Sequence, residues 1–407
     1  MLYQEITQCR SCNSTRLESV LDLGNLFISD FILPGAQEDK APLELLCCQD
    51  CSLVQLRHTV NRDRLYRDYY YRSSTNESMV AALQDVVEDA WKRVHIETHD
   101  AVIDIGANDG TLLDNYPRKV FTCGFEPSAL SSVALDKGHF VMPVYFPPPN
   151  NLPVCPGKAK IITSIACFYD IDDPNSFVAA IKDWLHKDGI WVCQFQDFDS
   201  MIAATAFDNI CHEHLTYWTT RSFRHLLARH GLHVIDQSHN HTNGGSTRYI
   251  ITHGADLCNS VPAITATESA HRLSVFAHNV ERLKHETLGV LECLRQNNKT
   301  VLGVAASTKA NTLLQYYGVD TTLLPAIVDR NPDKHGRITV GTHIPIVSES
   351  EIEQLSPDYL FALAWHFFPS FQQRYSSYQG QWIIPLPTLR FGGITCQPIT
   401  GELSASI

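Results

Sequence analysis

One short segment limits this chain more than any other: the apolar run Ala101-Val102-Ile103-Asp104-Ile105, which breaks into Gly106-Ala107-Asn108-Asp109-Gly110. A five-residue apolar run closed by a glycine-rich turn reads as a buried strand, and Thr111 to Asn115 reads as the start of a helix. Strand, loop and helix in that order form the unit of an open α/β sheet, whose ligand lies at the carboxyl ends of its strands. The surroundings agree. Val80, Leu83, Val86, Val87, Ala90 and Trp91 recur near helical spacing upstream. Further strands are expected at Lys119 to Phe125, Lys160 to Ala166 and Ile190 to Phe195, with a helix over Asn175 to Leu185, so the sheet should be mostly parallel.

The turn discriminates among nucleotide ligands. A dinucleotide loop needs three glycines spaced G-x-G-x-x-G so that pyrophosphate can sit on the helix N-terminus. Here the order is Gly106-x-Asn108-x-Gly110 after the acidic Asp104. This form resembles the S-adenosylmethionine loop of methyltransferases, whose ligand carries no phosphate. The resemblance implies that Asp104, Gly106, Asn108, Asp109 and Gly110 line the cofactor. Glu126-Pro127 ends the second strand, where a carboxylate can accept from two ribose hydroxyls. Ser164 and the loops Ser164 to Asp170 and Gln194 to Asp199 should lie along the same edge.

The first fifty residues carry different chemistry. Cys9-Arg10-Ser11-Cys12 and Cys48-Gln49-Asp50-Cys51 are two C-x2-C knuckles, a spacing that turns paired thiolates toward one tetrahedral ion. Zinc is the expected occupant, and four sulfur ligands leave no open position, so its role should be structural. Cys47 competes with Cys48 by count but not by spacing, and buried free thiols are the alternative reading. The segment has few large apolar residues, so metal binding should supply much of its folding energy.

With 407 residues the chain exceeds a single core. A formal net charge of −12 argues against a nucleic-acid partner, since phosphate backbones select basic surfaces. No run approaches the roughly 18 apolar residues of a membrane span, and Met1 to Glu5 lacks the basic start of a signal peptide, so a cytoplasmic protein without a membrane partner is expected.

Past the strand at Ile190 to Phe195, Phe207-Asp208-Asn209-Ile210-Cys211-His212-Glu213-His214-Leu215 concentrates polar and ionisable groups. The H-E-x-x-H metal spacing is absent, and general acid or base work by an imidazole fits better than a metal pair. Hydrogen-bonded loop histidines are the alternative. Together with the knuckles, Tyr71-Arg72-Ser73-Ser74, the glycine loop, Asn243-Gly244-Gly245-Ser246-Thr247-Arg248, Ser307 to Thr312 and Asp329 to Pro332, this segment resembles the sugar C-methyltransferases of deoxysugar pathways over nearly the whole chain.

That resemblance implies an α/β protein with an N-terminal zinc-binding module (1–75), a central class I, Rossmann-like methyltransferase domain (76–255), a connecting helix (256–299) and a C-terminal Rossmann-like α/β domain (300–407). The last part also shows its own pattern: a strand at Thr300 to Ala305, a helix at Thr308 to Gln315 and a strand at Leu324 to Val328, after a long helix over Arg272 to Asn297. The implied substrate is a TDP- or GDP-linked 4-keto-6-deoxyhexose, methylated at C3 in preference to C5 through an enolate. O- or N-methylation and a non-catalytic cofactor-binding protein are the alternatives. His214 is expected as base, with Glu213 orienting or hydrogen-bonding the acceptor. Ser73, Asn243, Arg248, Ser307, Lys309, Asn311 and Arg330 are expected to hold the substrate, in a monomer or weak homo-oligomer. The chain departs from the family pattern where Ala166 and Asp170 replace Asn and His, and where Cys211 replaces a tyrosine. Tyr169 or Tyr71 are candidates to supply the missing phenol, and Cys211 either takes part or packs.

Overall fold

A computed structural model describes residues 2–66, 71–98, 100–149, 157–254 and 266–392. The expected boundary at residue 255 lies outside them. The chain forms two compact units: Met1–Ser19, Leu45–Ser200 and Glu213–Ala266 make the first, and Val20–Glu44, Met201–His212 and Thr267–Ile407 the second.

The first unit is built on seven strands: β1 (Ala101–Ile105), β2 (Phe121–Phe125), β3 (Phe140–Met142), β4 (Ala159–Ile165), β5 (Leu185–Gln196), β6 (Leu232–Asn240) and β7 (Ser246–His253). Their spatial order is β3-β2-β1-β4-β5-β7-β6. The first five run parallel, while β7 is antiparallel to both β5 and β6. The expected strands are therefore present, within a few residues at their ends, in a sheet that is parallel except for β7. One expectation fails. Thr111 to Asn115 does not open a helix, and a single tight turn at Leu113–Asn115 stands there instead. Pro117 follows within two residues and cannot continue a helix with a backbone N–H.

Alternation along the strands splits the core into two layers. Ile103, Ile162, Trp191, Cys193, Tyr249 and Ile251 face one cluster, and Val102, Ile161, Ile190, Val192 and Ile250 face the other. The helix α1 (Glu77–Arg93) covers the second face with Leu83, Val86, Val87 and Ala90 at helical spacing. Its start is fixed by Asn76, whose side chain accepts from the Ser78 N–H at 3.2 Å. The short helix α2 (Leu130–Asp136) adds Ala134 to the same face, and on the other lie α3 (Pro174–Trp184), capped by Asp173, and α4 (Thr220–Arg229).

The second unit contains the long helix α5 (Ala266–Gln296), the strand β8 (Val301–Val304) and the helix α6 (Thr308–Tyr317). The strands β9 (Ile327–Asp329), β10 (Ile346–Ser348), β11 (Tyr359–Ala362) and β12 (Gln381–Ile383) complete an all-parallel sheet of order β10-β9-β8-β11-β12. No helix among the described residues is long and apolar enough to cross a membrane.

Candidate active site

The cysteine knuckles form two turns of the same design. In one, Cys9 N donates to Ser14 O at 2.8 Å and Asn13 N to Cys9 O at 2.9 Å; in the other, Cys48 N donates to Leu53 O and Ser52 N to Cys48 O, both at 2.9 Å. Asn13 and Ser52, each four residues after the first cysteine, carry φ of 60° and 61°. The turns bring Cys9, Cys12, Cys48 and Cys51 together, with every Sγ within 4.8 Å of the others and the closest pairs at 3.5 Å. Tetrahedral zinc with sulfur ligands needs sulfur separations of about 3.8 Å, so the four donors fit the ion. Cys47 stands outside the set, its thiol directed at the Cys48 carbonyl. The module does not fold around metal alone: Cys9, Cys48, Cys51 and Leu53 belong to the same apolar cluster as β1 and α3.

At the carboxyl end of β1 the loop takes left-handed φ at Gly106 (76°), Asn108 (52°) and Gly110 (79°). Asn tolerates that conformation better than other side chains. A Cβ on Gly110 would stand 2.8 Å from His139, so this position demands glycine. Glu126 ends β2 and grips the loop, accepting from Asn108 N and Ser128 N at 2.9 Å each. A carboxylate has lone pairs beyond these two bonds, which suits it to ribose hydroxyls. From the other side, Asn108 Nδ2 donates to Tyr71 O, Ser73 N to Asn108 Oδ1 and Ser74 N to Asp109 Oδ2, at 3.0 to 3.1 Å.

Three expected cofactor residues have inward, buried side chains. Asp109 is fully buried and accepts from Thr111 Oγ1 at 2.6 Å; burial pushes its pKa up, but the bonds from Ser74 and Thr111 outweigh this and leave it lowered. Ser164 faces the core, where its hydroxyl accepts from Trp191 Nε1 at 2.9 Å. Asp104 is also inward: burial pushes its pKa up to about 7 even though Thr163 donates to it at 2.6 Å. Pro127 follows Glu126 half-buried at the loop edge.

The loop after β4 packs against the glycine loop, with Cys167 Sγ 3.3 Å from where a Gly106 Cβ would stand. Ala166 has φ of 55°, a strained conformation for alanine that asparagine would adopt more easily. Phe168 is buried among Phe177, Trp191, Phe195, Trp218 and Phe223, and fixes the tight turn Phe168–Asp170. The turn sets the Tyr169 ring 4.3 Å from the His214 ring, centroid to centroid, and Thr216 Oγ1 donates to Tyr169 O at 3.1 Å. Burial and the facing Glu213 hold the Asp170 carboxyl well above the usual range, against a hydrogen bond from Tyr66. Tyr66 was not legible as a site residue; it lies in a tyrosine-rich stretch with no spacing to single it out.

The boundary between the units falls between His212 and Glu213. Cys211 and His212 thus belong to the second unit and are buried there, with His212 Nε2 3.0 Å from Ala41 O. Around Cys211 the second unit gathers Lys309 and Asp208, and burial lowers the Lys309 pKa against the pull of both. Ser307 caps α6 by accepting from Ala310 N at 3.1 Å. Arg330 is exposed after β9.

Two expected substrate residues are engaged elsewhere. Arg248 is buried and bonds Gln194, Asp85 and Asp89, tying β7 to α1, because its alternating position points it into the sheet face beneath that helix. Asn311 is fully buried on α6 and donates to Asp30 O at 3.0 Å. Asn243 sits half-buried at the β6–β7 turn with φ of 56°.

A sheet of this order, with a glycine-rich first turn and a carboxylate closing the second strand, defines the class I S-adenosylmethionine-dependent methyltransferases. Three family models match: the zinc binding domain over residues 9–66, the methyltransferase domain over 75–237 and the C-methyltransferase C-terminal domain over 241–387. The chain is 26% identical to C-methyltransferase NovU of Streptomyces niveus across 96% of its own length and 97% of that protein's. It belongs to this C-methyltransferase family, with S-adenosylmethionine as methyl donor and zinc at the four cysteines. Among solved structures, an S-adenosylmethionine-dependent methyltransferase from Clostridium acetobutylicum matches 43% of this chain and 92% of its own at 13% identity and a TM-score of 0.36. The CcbJ methyltransferase from Streptomyces caelestis matches 46% and 94% at 10% identity and 0.34.

Proposed function

We propose that this C-methyltransferase acts on a nucleotide-linked 4-keto-6-deoxyhexose, TDP- or GDP-linked, at C3 in preference to C5. The observation that carries the reading is the cluster Tyr169, Asp170, Glu213 and His214, gathered at the sheet edge where the glycine loop lies. Carbon next to a ketone is acidic enough for a side-chain base to deprotonate, and that reaction needs an imidazole, a neighbouring carboxylate and stabilisation of a developing oxyanion. His214 takes the carbon-bound proton, and the ring of Tyr169 against it restricts its orientation. Glu213 orients the acceptor. Tyr71 contributes through its backbone, bonded to Asn108, and Cys211 packs within the second unit.

The cofactor supplies an electrophilic methyl group on a sulfonium. Gly106, Asn108 and Gly110 would hold its amino-acid part, and Glu126 its ribose. The C-terminal unit would hold the nucleotide through Ser307, Lys309 and Arg330, at the carboxyl ends of β8 and β9. A soluble, cytoplasmic enzyme is consistent with this substrate. The test is a turnover screen of TDP- and GDP-linked 4-keto-6-deoxyhexoses with NMR of the product. A new C-methyl signal at C3 is expected; methylation on oxygen, or turnover of none of them, would overturn the reading.

A further inference from the structure

We propose that Asp170 works in its un-ionised form, donating a hydrogen bond to the acceptor's carbonyl oxygen, and that Tyr66 is the positioning residue that holds it. The proposal rests on the enolate reading above and deepens it by naming the oxyanion partner.

Two carboxyls face each other at this edge, Asp170 from the loop after β4 and Glu213 from the strand-leading segment before Leu215. Two carboxylates that share a site do not both ionise, and the more desolvated one keeps its proton. Burial and the facing Glu213 both favour the protonated form of Asp170, and its Oδ1 has no hydrogen-bond partner in the chain. A buried polar atom left in that state costs about 1 to 3 kcal/mol unless a ligand meets it. The Tyr66 phenol hydrogen-bonds the Asp170 carboxyl and lies 3.5 Å from the Glu213 carbonyl oxygen, so it spans both carboxyl-bearing segments. Phe168, locked in the aromatic cluster, fixes the same turn from behind.

The arrangement suits enolate chemistry. When the carbon-bound proton passes to His214, the C–H electron pair becomes the new carbon–carbon double bond, and the carbonyl π pair moves onto oxygen. A neutral carboxylic acid can donate to that oxygen, whereas a carboxylate would repel it. Tyr66 donates to the carbonyl oxygen of the Asp170 acid, leaving the acid's O–H for the acceptor. No proton is transferred from Asp170, and it returns unchanged.

The discriminating variants are Asp170→Asn, which donates but cannot ionise, and Asp170→Ala. With the proposed acceptor, Asp170→Asn is expected to lower kcat about ten-fold and Asp170→Ala about a thousand-fold. Tyr66→Phe is expected to lower kcat about ten-fold with both KM values within two-fold of the parent. Equal losses in Asp170→Asn and Asp170→Ala would show that Asp170 must ionise and would overturn the proposal, as would a Tyr66→Phe effect confined to KM. Infrared difference spectra of the acceptor-free protein at neutral pH, parent minus Asp170→Asn, should contain the C=O stretch of a protonated carboxylic acid, shifted in Tyr66→Phe. Its absence would overturn the proposal whether or not the substrate assignment holds.

Discussion

The two units carry the same five parallel strands in the same order, yet they finish the first strand differently. After β1 the chain makes a turn with three left-handed residues and no helix; after β8 it runs through Ala305, φ 71°, into the ten-residue helix α6 capped by Ser307. Each second strand ends in a carboxylate that holds the first loop. Glu126 accepts from Asn108 N and Ser128 N, and Asp329 accepts from Ala306 N and Asn331 N at 2.8 Å each. The shared part is a brace, and the variable part is what the loop presents. Three left-handed residues present bare backbone to a ligand without phosphate, while a capped helix start presents N–H groups and a positive dipole end to an anion. One scaffold thus offers two different loop surfaces by changing the turn after its first strand.

The largest effect separating the units should come from the metal, whose four thiolates pack into the core of the first only. Chelation should cost that unit of order 10 kcal/mol and abolish the near-ultraviolet signal of its aromatic cluster. An unchanged melting profile in protein shown by mass spectrometry to be metal-free would break the contrast. Next come the braces. Glu126→Ala should weaken donor binding about 10- to 100-fold by calorimetry, whereas Asp329→Ala should leave it within two-fold and raise the acceptor KM instead. Equal loss of donor affinity in both would show that the two braces do not serve separate ligands.

A smaller effect concerns Asp104, two residues before Gly106; the corresponding residue before Ala305 is Gly303, which cannot titrate. In the folded chain Asp104 keeps its proton to about pH 7, and in the unfolded chain only to about 3.9. The folded state therefore holds the extra proton within that window, and stability falls as pH rises through it, with the loss complete above about 7. Asp104→Asn should flatten this fall by about 2 to 3 kcal/mol between pH 5 and 8, measured by urea unfolding. An undiminished slope would place the titration elsewhere.

Much of this was legible because it depends on local pattern. The C-x2-C spacing, the run Ala101 to Ile105 and the carboxylate of Glu126 each specify their own geometry. The long-range partners were not. Arg248 reads as a substrate residue in its Gly-Gly-Ser-Thr-Arg context, but only the pairing of β7 with β5 and the packing of α1 show that Asp85 and Asp89 claim it. Ser164 and Asn311 fail for the same reason, since strand alternation and helix phase turn both inward. Tyr66 was missed because nothing in sequence links it to Asp170, 104 positions away. The absent helix after Thr111 was overridden by Pro117 and by a loop that spends its length on left-handed turns.

Arg10 lies between two of the cysteine ligands, and its buried guanidinium reaches Asp172 at 3.0 Å, Leu56 O at 2.6 Å and Thr59 at 2.7 Å. Asp172 is two residues from Asp170. The first knuckle is therefore tied to the loop after β4, and metal occupancy and the position of that loop are not independent quantities. A preparation only partly loaded with zinc would therefore be a mixture of ordered and disordered first units, and its apparent kcat should fall in step with its near-ultraviolet signal.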